Sequence, residues 1–208
     1  MISKLFYEAI LRPLTVSIMN IIWVQKVINS DNIPKTGSAI LVANHSSYLD
    51  FLIVPSLLKR RVRIIAAKEL TTLPLIGWYA RNDDCILVDR TKPGTKYFKD
   101  AVKTLENGQV LLVFPEGTRS IDGKLGSWKR AFVRLSLMTG APIIPVAIKG
   151  TFEDLPKNGE LKLKKNCIVM FGNPFKIDRL PDGKVTKEGI DSIVIDIRSK
   201  VIAMLDSL

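Results

Sequence analysis

The sequence predicts an α/β fold, a single domain with a mixed, largely parallel sheet flanked by helices. From residue 38 onward, short apolar runs alternate with stretches of helical period. No repeat, low-complexity tract or linker interrupts that alternation. The 208 residues suffice to bury about 70% of the unfolded surface around one core.

The amino-terminal stretch is set apart from this pattern. Residues 1–30 are mostly apolar, yet the longest uncharged run lies between Arg12 and Lys26, short of the ~20 residues a spanning helix needs. No small-residue cleavage site marks a signal peptide. Pro13 divides the stretch into helical pieces, and Lys4, Arg12 and Lys26 stand near their ends. An N-terminal membrane-surface helical segment over 1–30 is therefore expected, with Trp23 as interfacial anchor and the α/β domain occupying 31–208.

Strands are expected at Ala39 to Ala43, Val62 to Ala66, Cys85 to Val88, Val110 to Phe114, Ile143 to Ile148 and Asn166 to Phe171. Helices are expected near 48–58, 72–80, 94–106 and 128–139. Thr186 can cap a last helix whose apolar stripe, Ile190 to Leu205, packs on the sheet.

Charge narrows the partners. With 31 Lys plus Arg against 20 Asp plus Glu, the net charge of +11 favours anionic ones. The basic residues are scattered without interleaved aromatics, so no nucleic-acid platform is expected. Cys85 and Cys167 lie apart in apolar runs and read as free buried thiols. One histidine and two isolated cysteines make no usual zinc site, so no metal is expected.

That single histidine stands in Asn44-His45-Ser46-Ser47-Tyr48-Leu49-Asp50, at the carboxyl end of the Ala39 to Ala43 strand. Ligands of open α/β sheets bind at this edge. Side chains lean toward a helix's amino terminus, so Asp50 can reach back to His45, leaving Nε2 as a base toward the cleft. Asp50 can equally serve as a capping carboxylate with Ser47, with His45 a satisfied polar residue. No glycine-flanked serine elbow supplies an enzyme nucleophile, so a base here would activate a substrate hydroxyl. A second strand end carries Phe114-Pro115-Glu116-Gly117-Thr118-Arg119-Ser120. Gly117 allows close approach, Arg119 offers a fork for phosphate, and Thr118 adds a donor. Glu116 can accept from a substrate hydroxyl or hold Arg119. A base beside an anion clamp suits a substrate bearing both hydroxyl and phosphate, such as a glycerol phosphate.

NHSSYLD, CILVDR, FPEGTRS and APIIPVAI together resemble the four ordered motifs of the glycerolipid acyltransferase family, which includes 1-acylglycerol-3-phosphate acyltransferases of bacterial type, over Ile33 to Gly150. The resemblance implies that His45 and Asp50 form a catalytic dyad. It places Arg90, Glu116, Gly117 and Arg119 at the acceptor's glycerol phosphate, and Lys68 where relatives carry a lysine for the oxyanion. It implies acyl transfer from acyl-CoA or acyl-carrier protein to the sn-2 hydroxyl of lysophosphatidate, giving phosphatidic acid. No cofactor is implied, and the setting is peripheral on the anionic cytoplasmic face of the cell membrane. Two alternatives share the same features: acylation of another lysolipid, or a non-catalytic module that docks phospholipid headgroups. Asp84 and the stretch Trp128-Lys129-Arg130-Ala131 depart from the family pattern and bear on cleft shape.

Overall fold

The computed structural model describes residues 10, 12–72, 77, 85–89, 94–177 and 186–208. Its centre is a seven-stranded sheet: β1 (Val24–Ile28), β2 (Ala39–Ala43), β3 (Val62–Ala67), β4 (Ile86–Val88), β5 (Val110–Val113), β6 (Ile143–Lys149) and β7 (Cys167–Phe171). Their spatial order is β1-β7-β6-β2-β5-β3-β4. The run from β6 to β4 is parallel, β7 lies antiparallel to β6, and β1 is parallel to β7. The α/β expectation is met.

Helices cover both faces, which is why the central strands lack polar alternation. Every residue of β2 and β5 is buried, as are all of β6 but Lys149. On one face, Leu41, Ile64, Leu112 and Val146 pack under α1 (Arg12–Ile22) and α2 (Asp50–Ser56). On the other, Ile40, Val42, Leu111 and Ile143 meet α3 (Lys96–Glu106), α4 (Ala131–Thr139) and α6 (Lys187–Asp206). A single turn, α5 (Thr151–Asp154), follows β6. Thr186 caps α6 by accepting from the Gly189 N–H, and the stripe through Val194, Ile197 and Val201 is buried on the sheet, as expected. Of the helix expected near 72–80, only Thr72 and Gly77 are described, the former closing a short 3-10 turn, Lys68–Thr72.

The amino-terminal expectation needs two corrections. Val24–Ile28 is a strand, hydrogen-bonded along β7, where helix was expected through residue 30. Only Val24 is buried, so the strand is fixed by a partner remote in sequence rather than by local alternation. Trp23 is also not an interfacial anchor: it is 5% exposed and its indole N–H donates to the Lys162 carbonyl at 3.0 Å. The outward face of α1 carries Leu14, Ile18 and Ile21, the last 69% exposed. Among the described residues no helix is long and apolar enough to cross a membrane.

Part of the positive charge is structural. Arg60 donates to the carbonyls of Pro34, Gly37 and Gly108 at 2.6, 2.6 and 2.8 Å, tying together loops below β2 and β5. Arg130 forks onto Asp191, joining the start of α4 to α6.

One carboxyl is left unsatisfied. Asp154 is fully buried and neither oxygen has a well-formed hydrogen bond, so burial, with the Glu153 charge adding to it, pushes its pKa up to about 6 against the pull of Lys164 and Lys162. The folded chain then binds a proton that the unfolded chain has released, and stability present below pH 3.8 is lost as pH rises through about 6. Asp154→Asn removes that penalty. Thermal melts are expected to show the variant a few degrees above the native protein at pH 8, with the gap closing below pH 4; parallel curves would contradict this.

Candidate active site

Asn44 anchors the strand end that carries the site. Its amide donates to the Ile148 carbonyl and accepts from the Ile148 N–H, both at 2.8 Å, so a side chain extends the β2–β6 pairing by one step. His45 follows at once. Its Nδ1 lies 2.9 Å from Oδ2 of Asp50. The same Oδ2 accepts from the N–H groups of Ser46 and Ser47 at 2.8 Å each, and Oδ1 accepts from the Thr151 hydroxyl at 2.6 Å. A group that accepts this many bonds acts as a carboxylate, so Nδ1 carries the proton and Nε2 keeps its lone pair.

The ring is 16% exposed while Asp50 is 0% exposed. His45 stacks on Phe114, with ring centroids 4.2 Å apart. Both line a cleft of about 420 Å³ together with Tyr48, Phe51, Thr118 and Arg119. The imidazole is therefore reachable, and the carboxylate that orients it is not.

Ser47 does not cap the helix as expected: the helix begins at Asp50, its N-cap is Leu49, and no side chain caps it. Asp50 reaches back to the Ser47 N–H, while the Ser47 hydroxyl accepts from the Leu49 N–H and donates to the Leu155 carbonyl.

The FPEGTRS stretch wraps the same histidine. Glu116 Oε1 accepts from the His45 N–H at 2.9 Å, Oε2 from the Gly126 N–H at 3.0 Å, and the Ser120 N–H donates to the His45 carbonyl at 2.8 Å. Burial raises the Glu116 pKa, and the N–H groups of Gly126 and His45 pull against that rise. Both oxygens of Glu116 are thus turned to backbone. Gly117 sits at φ +69, where a Cβ would lie 2.8 Å from the Lys129 ammonium. Arg119 lies over the Tyr48 ring, 3.4 Å from its centroid, and donates to the Lys157 carbonyl at 3.4 Å. Arg198 of α6 holds the following loop through the carbonyls of Leu125 and Gly126.

One residue singled out in the sequence stands apart from this group, and another is not described. Lys68 is not among the cleft-lining residues; its ammonium lies 3.8 Å from Asp89. Arg90 lies outside the described residues, just beyond β4 and Asp89. Cys167 is buried, which pushes its thiol pKa up and disfavours the thiolate a nucleophile requires. Among the described residues no cluster of three or more His, Cys, Asp or Glu could hold a metal. Sequence reasoning missed Asn44, Tyr48, Thr151 and Lys157. Only Asn44 and Tyr48, next to the histidine and inside the same stretch, carried a positional hint.

An α/β sheet that presents an oriented base and an arginine at one strand-end cleft suits the transfer of a group onto a substrate hydroxyl. The comparisons name the family. An acyltransferase family model matches residues 24–149, and the chain belongs to that family. It is 32% identical over 179 residues to a chloroplastic 1-acyl-sn-glycerol-3-phosphate acyltransferase from Arabidopsis thaliana, covering 85% of this chain and 48% of that protein. It is 30% identical to a 1-acyl-sn-glycerol-3-phosphate acyltransferase from Bacillus subtilis, covering 66% of this chain and 70% of that one. The crystal structure of the 1-acyl-sn-glycerophosphate (LPA) acyltransferase PlsC from Thermotoga maritima superposes with a TM-score of 0.74 at 27% identity, over 95% of this chain and 78% of that one. The chain thus spans about half the length of the Arabidopsis relative.

Glu116→Gln tests the backbone role. An amide has one accepting oxygen, so its NH2 would face either the His45 or the Gly126 N–H. A loss of about 1–3 kcal/mol is expected in urea denaturation, and unchanged stability would show that these bonds hold nothing.

Proposed function

We propose that the chain transfers a fatty acyl group from an acyl thioester to the sn-2 hydroxyl of a 1-acylglycerol 3-phosphate, giving phosphatidic acid. The carrying observation is that His45, held at Nδ1 by Asp50, shares one cleft with Arg119. The names of the relatives in Arabidopsis and Bacillus support the choice of acceptor.

In this reading His45 Nε2 takes the proton of the acceptor hydroxyl as its oxygen attacks the thioester carbonyl. Asp50 supports the imidazolium. The tetrahedral oxyanion collapses, the C–S bond breaks, and the imidazolium returns the proton to the leaving thiolate. No enzyme-bound acyl intermediate and no cofactor takes part; acyl-CoA or acyl-carrier protein is the co-substrate. Arg119, with Thr118 beside it, binds the acceptor phosphate, and the family resemblance assigns Arg90 to the same phosphate. Gly117 shapes the turn that presents them, and Glu116 acts on the acceptor site indirectly, through the backbone of His45. Lys68 can serve the oxyanion only by leaving Asp89.

The substrate is amphiphilic, and the exposed Leu14, Ile18 and Ile21 fit a peripheral position at an anionic membrane surface on the cytoplasmic side, with α1 forming the contact segment.

His45→Ala is expected to lower acyl transfer by about 10²–10⁴-fold with an unchanged melting temperature. Transfer within tenfold of the native rate would overturn the base assignment. Arg119→Ala is expected to raise the acceptor KM by about 10–100-fold and leave the donor KM unaltered; steady-state kinetics with both substrates varied decides it.

A further inference from the structure

We infer that Lys157, which lies outside all four motif stretches, is a second cation on the acceptor phosphate and makes the site selective for a phosphate monoester over a diester headgroup. The inference rests on the acceptor reading given above.

Lys157 lines the cleft with His45, Thr118 and Arg119. It belongs to residues 155–166, which strap α5 to β7. The strap is pinned at several points: the Leu155 carbonyl accepts from the Ser47 hydroxyl at 2.8 Å, the Lys162 N–H donates to the Asp154 carbonyl at 2.7 Å, and the Lys162 carbonyl accepts the Trp23 indole. A turn closed by Gly159 N–H to the Pro156 carbonyl throws Lys157 toward the arginine. Its placement therefore follows from the bonds that build the base's own loop.

Both ends of the residue meet the clamp. The Lys157 carbonyl accepts from Arg119 Nη1 at 3.4 Å, and its ammonium lies 3.3 Å from the Thr118 hydroxyl. Thr118 takes one of three ammonium donors, and among the described residues no carboxylate pairs with the others. The other cations near the turn differ. Lys129, beside Gly117, lines a separate cleft with Arg130, Lys68 faces Asp89, Arg130 is forked onto Asp191, and Arg198 is spent on loop carbonyls.

The chemistry explains the selectivity. A phosphate monoester carries roughly −1.5 to −2 near neutral pH. An arginine fork neutralises one charge and occupies two oxygens. The third oxygen and the remaining charge call for another donor on the same wall, which the Lys157 ammonium supplies. A phosphodiester has one charge, and its second ester group would point at that ammonium.

The test uses the full chain with an acyl thioester, 1-oleoylglycerol 3-phosphate as acceptor, and 1-oleoylglycerophosphoglycerol as a diester inhibitor. Native protein, Arg119→Ala, Lys157→Gln and Lys157→Arg are compared after melting curves show all four folded. For Lys157→Gln the acceptor KM is expected to rise about 10–100-fold, with kcat and the donor KM within about threefold. The diester inhibition constant should stay unchanged, and Lys157→Arg should recover most of the acceptor affinity. Acceptor KM unchanged in Lys157→Gln, while Arg119→Ala raises it, overturns the Lys157 assignment alone. An equal rise for monoester and diester, or a fall in kcat without a KM change, does the same. If the native protein does not acylate the monoester, or Arg119→Ala leaves its KM unchanged, the acceptor reading fails and takes this inference with it.

Discussion

The structure is organised around one buried carboxylate. Asp50 has no solvent exposure, and burying such a charge without partners costs several kcal/mol. Four donors meet it: the His45 ring, the backbone N–H groups of Ser46 and Ser47, and the Thr151 hydroxyl. The bonds that make the burial tolerable are the bonds that set the imidazole's orientation and tautomer. Catalytic geometry and local stability therefore share the same atoms. Thr151 comes from the turn after β6 and the other donors from the end of β2, so the pair forms only when those neighbouring strands are in register.

A second set of bonds makes the imidazole and the Gly117 to Arg119 turn one unit. His45 is gripped at its N–H by Glu116 and at its carbonyl by Ser120, on either side of Gly117, Thr118 and Arg119. Glu116 continues to Gly126, and Arg198 ties that loop to α6. The main-chain spacing of His45 and Arg119 is thus governed by short hydrogen bonds, and the Tyr48 ring and the Lys157 carbonyl hold the guanidinium itself. Such preorganisation is what orientation-dependent rate enhancement requires.

How much of this was legible in the sequence depended on where each interaction was written. The inner strands announced themselves, because burial on both faces demands runs such as AILVA and VLLV, and their boundaries fall within a residue or so of expectation. The strand β1 did not, since Val24 alone is buried and its register comes from β7, far along the chain. His45 and Asp50 were legible because the partners are close in sequence and fixed by helix geometry. The backbone work of Glu116 was hidden: its partners are main-chain N–H groups, which no residue letter distinguishes. For Thr151 and Lys157 neither spacing nor composition gives a signal, because only the β6 crossover brings them to the histidine. Trp23 was misread because amphipathic aromatics suit both an interface and a core with a carbonyl in reach, and Lys162 supplies that carbonyl.

The same contacts couple the cleft to the outer helix. The Trp23 backbone closes the end of α1 against Met19, its indole holds the Lys162 carbonyl, and the Lys162 N–H holds the Asp154 carbonyl. The adjacent Leu155 carbonyl then takes the hydroxyl of Ser47, two residues from His45. This chain of hydrogen bonds runs from the exposed apolar face of α1 to the base, with Lys157 between. In the proposed membrane setting, a helix resting on lipid would be tied to the cleft through this strap. Trp23 thus acts on the cleft through the strap it fixes, from a buried position at the end of α1.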